Sequence, residues 1–254
     1  MKQTHASAMD AMSAIDESAD GDVSVSDAAR TVVMGDRFRA VMAESVARLE
    51  KDFDPAHDEG HLRRVIAAAL HIGEREGADL DIVAAAGALH DVVNIPKNHP
   101  DRKRASAMAA DASRAILMDA GYGARDTEAI ATAVLEHSFS AGHAPSTLES
   151  AVVQDADRLD DLGAFGVFRT ASVGTLFGAR FYHLDDPVGE ARAYDDARFT
   201  LDHFYTKLFK VEEKMNTQTA RKIARKRAQF LKDFVAAMRD ELALSAAMTT
   251  EWAR

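Results

Sequence analysis

The sequence predicts an all-α fold, and three observations lead to that prediction. Apolar residues recur at the spacing of one helix face in almost every patterned segment, and no segment alternates with a sustained period of two. The sequence has no internal repeat and no glycine-rich phosphate loop of the two common nucleotide-binding types. With 254 residues, 47% apolar residues and no cysteine, the chain can build one sizeable core without disulfides. We therefore expect a helical bundle with an additional C-terminal helical segment.

Three segments are expected along the chain. Residues 1–30 carry six acidic against two basic side chains and no apolar period, which predicts a disordered acidic tail. Residues 31–240 are expected to form the helical domain, and residues 241–254 a C-terminal tail. No apolar run is long enough to span a membrane and no secretory signal is recognisable, so we expect a cytoplasmic protein without membrane contact. The net charge of −10 argues against broad binding to nucleic acid.

The first three core helices are predicted close together. The first covers about residues 36–52 and the second about 58–73, each with an apolar stripe at helical spacing. The third is predicted to begin at an Asp79 cap and to carry its apolar face as far as His90 and Asp91. Two prolines just downstream end this helix and start a polar loop, which is where substrate contacts are commonly found.

Further helices are predicted in the second half of the chain. A cap at Asp126 and a capping box formed by Ser146 and Glu149 indicate two of their starts. The helix after the capping box contains the aspartate-rich stretch QDADRLDDLGAFG, and residues 174–196 are expected to be irregular. The other predicted helices cover about residues 101–120, 126–137, 197–211 and 217–244.

The His90-Asp91 pair is the first candidate for metal binding. Adjacent side chains on a helix point about 100° apart, so the two converge on one ion only where the helix ends or where both flank the ion. Imidazole and carboxylate ligands suit Mn, Ni, Co, Mg, Fe or Zn, and the sequence does not choose among these ions. A His-Asp pair is common by chance, but HDEGHLRRV precedes this one and the aspartate-rich stretch follows about 65 residues later. Together these stretches predict a shared cleft at the helix ends.

The chain resembles the HD-domain metal-dependent phosphohydrolases. It is most similar to small bacterial HD hydrolases, with which it shares the stretches HDxxHxxRV, LHDxVNxPKNHPxR, HSFSAG, QDADRLDxxGAxG and HFYxKL over roughly residues 55–210. The resemblance implies an HD-type helical bundle that binds one divalent metal ion, with a second ion possible. Carried over residue by residue, it implies the ligands His61, His90, Asp91 and Asp157. Asp155 is the main rival for the last of these positions.

The resemblance also implies a reaction. A phosphohydrolase would cleave a phosphate ester or phosphoanhydride in a small phosphorylated substrate, most plausibly a nucleotide. The cations Lys97, Arg102 and Arg158 are candidates for binding the phosphoryl oxygens of that substrate. His137 is expected in the site as a phosphate contact or a proton donor, while the general acid is unassigned.

Two other functions remain open from the sequence. His137 and His143 could complete a two-iron site, which would make the protein an HD-type oxygenase. Alternatively, the domain could bind a nucleotide or a metal without turnover, although all four implied ligands are present. The basic run RKIARKR at 221–227 is interpreted as a solvated helix face, since no aromatic residue within it could stack on bases.

Overall fold

The computed structural model describes residues 26–50, 54, 56–93, 95, 100–138 and 142–252, and these residues form a helical bundle. They contain no β-strand beyond one isolated parallel bridge between Arg180 and Phe199, so the all-α prediction is confirmed. The helices are α1 Asp27–Met34, α2 Asp36–Leu49, α3 Glu59–Glu76, α4 Leu80–Leu89, α5 Ala105–Asp119, α6 Ala124–Glu136, α7 Leu148–Asp160, α8 Gly163–Leu176, α9 Asp202–Thr206 and α10 Gln218–Trp252. Three single 3₁₀ turns accompany them at Pro100–Arg104, Leu208–Lys210 and Glu212–Lys214.

Helix α4 lies at the centre of the bundle. All of its residues from Val83 to Leu89 are buried, which is the pattern of a helix that is apolar on every side. It packs against α2, α3, α6 and α7. Its small side chains allow close approach, since a Cβ on Gly87 would lie 3.4 Å from a side-chain carbon of Ile66 in α3. Four neighbours therefore fix the direction in which α4 ends.

Helix α3 packs against both α4 and α7. It begins at Glu59, one residue after the predicted start at about residue 58. The Asp58 side chain caps it by accepting a hydrogen bond from the backbone N–H of His61 at 2.8 Å. Leu62, Val65 and Ile66 follow on the buried face. The cap and this apolar face place His61 in the first turn, directed into the bundle.

Two predicted helix starts are wrong by a few residues. Helix α6 begins after Gly123, so Asp126 lies in its first turn instead of at the cap. Helix α7 is capped by Thr147, whose hydroxyl oxygen accepts a hydrogen bond from the Ser150 N–H at 3.0 Å. The predicted cap, Ser146, lies one residue too early because its backbone N–H donates to a carboxylate at the end of α6.

The helix predicted over residues 197–211 is also wrong in most of its length. Only Asp202–Thr206 is α-helical there. The backbone just before this helix makes hydrogen bonds to a distant segment. The Thr200 N–H donates to the Arg180 carbonyl oxygen at 2.8 Å, and the Leu201 N–H donates to the Phe181 carbonyl oxygen at the same distance. These long-range bonds compete with helical hydrogen bonds at the start of the segment.

The chain ends differ from the expected boundaries. Residues 1–25 of the predicted tail lie outside the described residues, whereas Asp27–Met34 forms α1, capped by the Ser26 side chain. Helix α10 continues past residue 241, where we expected a tail, as far as Trp252. Among the helices that the structure describes, none combines the length and the apolar character that a membrane crossing requires.

Candidate metal centre

The ends of four helices, α3, α4, α6 and α7, meet at one place in the bundle. His61 lies in the first turn of α3, and His90 follows the last residue of α4, with Asp91 next to it. Asp157 lies in the last turn of α7, and His137 follows the last residue of α6. A helix C-terminus carries partial negative charge. Three such ends converge here, so the backbone as well as the side chains favours a cation.

The ligand atoms of four of these side chains form a compact group. The Nε2 atoms of His61 and His90 lie 3.1 Å apart. Asp91 Oδ2 lies 3.7 Å and 3.4 Å from these two nitrogens, and Asp157 Oδ1 lies 3.6 Å and 3.8 Å from them. Atoms that bind one divalent ion at about 2.1 Å lie roughly 3.0–3.5 Å from each other. His61, His90 and Asp157 could together hold a metal ion, and Asp91 places a carboxylate oxygen within 3.7 Å of both imidazole nitrogens.

The hydrogen bonds of the Nδ1 atoms of His61 and His90 indicate whether the two Nε2 atoms could bind a cation. His61 Nδ1 lies 2.8 Å from Asp160 Oδ2, and His90 Nδ1 lies 2.8 Å from the Gly87 carbonyl oxygen. Both of these oxygens accept hydrogen bonds, so each Nδ1 is placed to donate and each Nε2 faces the centre, although Arg169 Nη1 also lies against His61 Nδ1. The two Nε2 atoms lie 3.1 Å apart, beside two carboxylates. This arrangement suits a positive charge between the two rings, which a proton on His90 supplies without a metal and a divalent ion can supply in its place.

The pKa shifts of His90 and Asp91 also indicate that a positive charge is favoured beside the carboxylates. Burial alone would lower the pKa of His90, but the carboxylates of Asp91 and Asp157 raise it to about 9. Burial would raise the pKa of Asp91, but His90 and His61 hold it well below its ordinary value. The carboxylate is therefore ionised and ready to bind a cation.

His137 lies at the edge of the same group. Its ring centroid is 5.0 Å from that of His90, and its Nε2 is 3.9 Å from Asp91 Oδ1. Its Nδ1 donates to the Val134 carbonyl oxygen at 2.6 Å, so Nε2 is the unprotonated nitrogen of a neutral ring. Burial and the neighbouring His90 lower the pKa of His137, which keeps the ring neutral.

Asp160 is a residue of the site that the sequence analysis missed. It is buried, and its Oδ2 accepts hydrogen bonds from His61 Nδ1 at 2.8 Å and from Arg169 Nη1 at 2.6 Å, which brings these two nitrogens against each other. Arg64 donates to both oxygens, at 2.7 Å and 3.0 Å. Burial would raise the pKa of Asp160, but the hydrogen bonds from His61 and Arg64 lower it far below its ordinary value. Its position three residues after Asp157, on one helix face, was the available signal.

The rival ligand Asp155 lies in a different environment. Its side chain accepts hydrogen bonds from the backbone and side-chain donors of Asn216 and Thr217, at 2.8–3.1 Å. These bonds tie α7 to the start of α10. Asp155 therefore has a structural environment, and Asp157 is the aspartate of α7 that lies beside His61 and His90.

The structure shows hydrogen bonds elsewhere for two of the predicted substrate cations and for His143. Arg158 Nη1 donates to the Lys214 carbonyl oxygen at 2.6 Å, and Arg102 Nη1 donates to the Ile95 carbonyl oxygen at 2.7 Å. Lys97 lies outside the described residues. His143 is exposed, and its carbonyl oxygen accepts from the Gln154 side chain. Substrate contacts by these residues stay predictions.

Comparison with known proteins agrees with this fold. The profile of the HD domain matches residues 59–162, from the first turn of α3 to just beyond α7. The uncharacterized protein YpgQ of Bacillus subtilis is 33% identical over 188 residues, which are 72% of this chain and 83% of that protein. The chain therefore belongs to the HD-domain superfamily, as the sequence motifs predicted.

Three solved structures of similar proteins share most of this fold. The crystal structure of YpgQ in complex with ADP has a TM-score of 0.63 at 27% identity and covers 81% of this chain and 94% of its own. A protein from Lactobacillus plantarum has a TM-score of 0.65 at 31% identity, with 82% and 97% covered. An HD-superfamily hydrolase from Bacillus thuringiensis has a TM-score of 0.61 at 27% identity, with 81% and 96% covered. The chain thus has the fold of HD-superfamily hydrolases.

Proposed function

We propose that this protein is a metal-dependent phosphohydrolase that cleaves a phosphate ester or phosphoanhydride of a nucleotide-like metabolite. The observation that carries the proposal is the convergence of His61 Nε2 and His90 Nε2 with the carboxylates of Asp91 and Asp157. These four side chains would hold one divalent ion. When bound, such an ion lowers the pKa of water and polarises a phosphoryl oxygen, which is the chemistry that phosphate hydrolysis needs near neutral pH.

The surrounding residues support this reaction without taking part in metal binding. Asp160 orients the His61 ring through its Nδ1 proton, so that Nε2 stays directed at the centre. His137 is neutral and offers a free lone pair at Nε2 on the Asp91 side of the centre. We assign to this nitrogen the acceptance of a proton from water, in place of the proton donation that the sequence suggested.

The nucleotide-like substrate is supported by a relative. The YpgQ structure contains ADP, and its fold overlaps 81% of this chain. A nucleoside diphosphate carries both the phosphoanhydride and the ester bond that the proposed reaction could cleave. ADP is therefore the first ligand to test.

The proposal is tested by measuring product release from a panel of nucleotides and simple phosphate esters with Mn²⁺, Ni²⁺, Co²⁺ or Mg²⁺. Activity should require one of these ions and should fall by roughly 100-fold or more in Asp91→Ala, because one ligand of the ion is lost. Asp119→Ala removes an exposed aspartate at the end of α5 and should keep full activity.

Two results would contradict the proposal. Activity that survives Asp91→Ala would exclude this centre as the catalytic site. A protein that binds both ADP and metal but releases no product across the panel would be a binding module. Two tightly bound iron ions per chain, together with oxygen consumption, would instead indicate the oxygenase.

A further inference from the structure

A cavity of about 460 Å³ lies between helix α8 and residues 196–208. The residues that line it include Asp161, Arg169, Phe177, Asp196, Thr200 and His203. A volume of this size is within the range of small-molecule sites. Its wall mixes apolar side chains with a few charged groups, which is also typical of such sites.

The cavity wall shares contacts with residues around the metal centre, since Arg169 in the wall contacts both Asp160 and His61. The side chains of His61 and His90 are fully buried, whereas that of Asp157 is 24% exposed, so the centre opens on the Asp157 side. Asp161 follows Asp157 by one helical turn, so the two share one side of the chain as α7 ends. The Asp161 side chain is also 24% exposed and lies in the cavity wall. A substrate whose phosphate reaches the centre can therefore extend along this face into the cavity.

The two ends of the cavity differ in charge. In the part of the wall around Asp161, Lys207 Nζ lies 2.7 Å from Asp161 Oδ2, and Arg169 bonds to Asp160. These cations suit the phosphate side of a substrate. In the other part of the wall, Asp196 Oδ2 accepts hydrogen bonds from His203 Nδ1 at 3.0 Å and from Thr206 at 2.7 Å. The Asp196 carboxylate is 43% exposed, so its Oδ1 can accept from ligand hydroxyls.

A further group in the wall fits an organic ligand. The Phe177 ring is 49% exposed although it lines the cavity, and an open aromatic face stacks on a flat ring.

We propose that this cavity binds the nucleoside part of the substrate, with Phe177 against the base and Asp196 on the sugar hydroxyls. This inference rests on the proposed function, since it assumes that the phosphate part lies at the metal centre. Phe177 and Asp196 would then set specificity, while the metal ligands set reactivity.

The test compares the binding of ADP and of inorganic pyrophosphate by calorimetry in the presence of Mn²⁺. Phe177→Leu should weaken ADP binding by about tenfold, because the stacking surface is lost. Asp196→Asn should weaken it by a similar factor, since the single amide oxygen is already engaged by His203 and Thr206. Pyrophosphate binding should be unchanged in both variants, because this probe does not reach the cavity.

Matched controls separate the cavity from the rest of the surface. Phe168→Leu changes a more exposed phenylalanine of α8 that does not line the cavity, and Asp185→Asn changes an exposed aspartate outside its wall. Both should bind ADP like the wild type. Thermal melting confirms that each variant is folded. In the wild type, 8-azido-ADP should label peptides from residues 170–179 or 196–208, and labelling confined to other peptides would overturn the proposal.

The possible failures are distinguishable. Unchanged ADP affinity in both variants overturns the cavity assignment even if the wild type hydrolyses nucleotides. Weaker ADP binding in a protein that releases no product supports the cavity and overturns only the hydrolytic function. Equal loss of ADP and ribose 5-phosphate binding in Phe177→Leu overturns the placement of the base.

Discussion

Asp160 in α7 accepts a hydrogen bond from Nδ1 of His61 in α3 at 2.8 Å, although 99 residues separate them in the sequence. The orientation of one candidate metal ligand is thus set by a helix other than its own. Arg64 and Arg169 hold the same carboxylate from two further directions. The His61 ring therefore cannot rotate without breaking a buried network of three helices.

Asp160→Asn should weaken metal binding by roughly 10–100-fold, because an amide is a poorer acceptor for the His61 proton and makes Nε2 a weaker donor to the ion. The measurement is the affinity for Mn²⁺ by calorimetry, at a temperature where both proteins are folded. Asp119→Asn is the control and should bind Mn²⁺ like the wild type. An unchanged affinity in Asp160→Asn would show that the His61 ring is held by packing alone.

Metal addition should raise the melting temperature of the wild type. The imidazoles of His61 and His90 and the carboxylates of Asp91 and Asp157 lie close together only in the folded state, and an ion bound only by the folded state adds about 2.7 kcal/mol at 100 times its Kd. The measurement is thermal unfolding with a chelator and with excess Mn²⁺. Asp91→Ala should lose most of the shift. An equal shift in this variant would mean that Mn²⁺ binds elsewhere.

Glu76 gives a dependence of stability on pH that is independent of the metal centre. Its carboxylate at the end of α3 accepts a hydrogen bond from the Thr219 N–H in the first turn of α10 at 2.7 Å. Hydrogen bonds from Thr219 lower the pKa of Glu76 below its ordinary value. A lowered pKa in the folded state stabilises the protein above the unfolded pKa, and this contribution is lost as the pH falls.

Glu76→Gln should therefore lower the melting temperature at pH 7 and have a smaller effect at pH 4, where the wild-type carboxylate begins to be protonated. The comparison requires thermal unfolding of both proteins at both pH values. Glu74→Gln, which changes an exposed residue of the same helix, should have little effect at either pH. An equal effect of Glu76→Gln at both pH values would show that the charge of Glu76 does not contribute to its hydrogen bond with the Thr219 N–H.

Gly166 lies in the first turn of α8, close to the end of α7. A Cβ at this position would lie 2.3 Å from the Asp161 carbonyl oxygen, which belongs to the backbone and cannot move aside cheaply. Gly166→Ala should destabilise the protein by about 1–3 kcal/mol or more. Gly123→Ala is the matched control, because nothing lies within 4 Å of its Cβ, and it should cost less than about 1 kcal/mol. Chemical unfolding of both variants measures the difference.

The helices, and the proximity of the proposed ligand side chains, were predictable because their signals are local or motif-based. The apolar stripe before His90 requires a helix that points its end into the core, and the prolines that follow require that helix to stop. The resemblance then gave His61 and Asp157, and the structure brings both next to His90.

The remaining features depend on contacts between distant parts of the chain. The segment before α9 has a helical pattern, but its backbone pairs with Arg180 and Phe181, which no local pattern indicates. The buried carboxylate Asp160 likewise looks like any other aspartate in its acidic stretch until His61 and two arginines surround it. Caps such as Thr147 were missed by one residue, because neighbouring Ser and Thr have similar capping preferences.

The convergence of three helix C-termini on two carboxylates also implies an order of addition. Two carboxylates and three helix C-termini face the centre itself, so a phosphate group meets repulsion at that point until a cation has bound. The ion is therefore expected to enter first and the phosphorylated substrate second. In kinetic terms, the protein should follow a compulsory sequence in which free substrate does not compete with the metal for the empty protein.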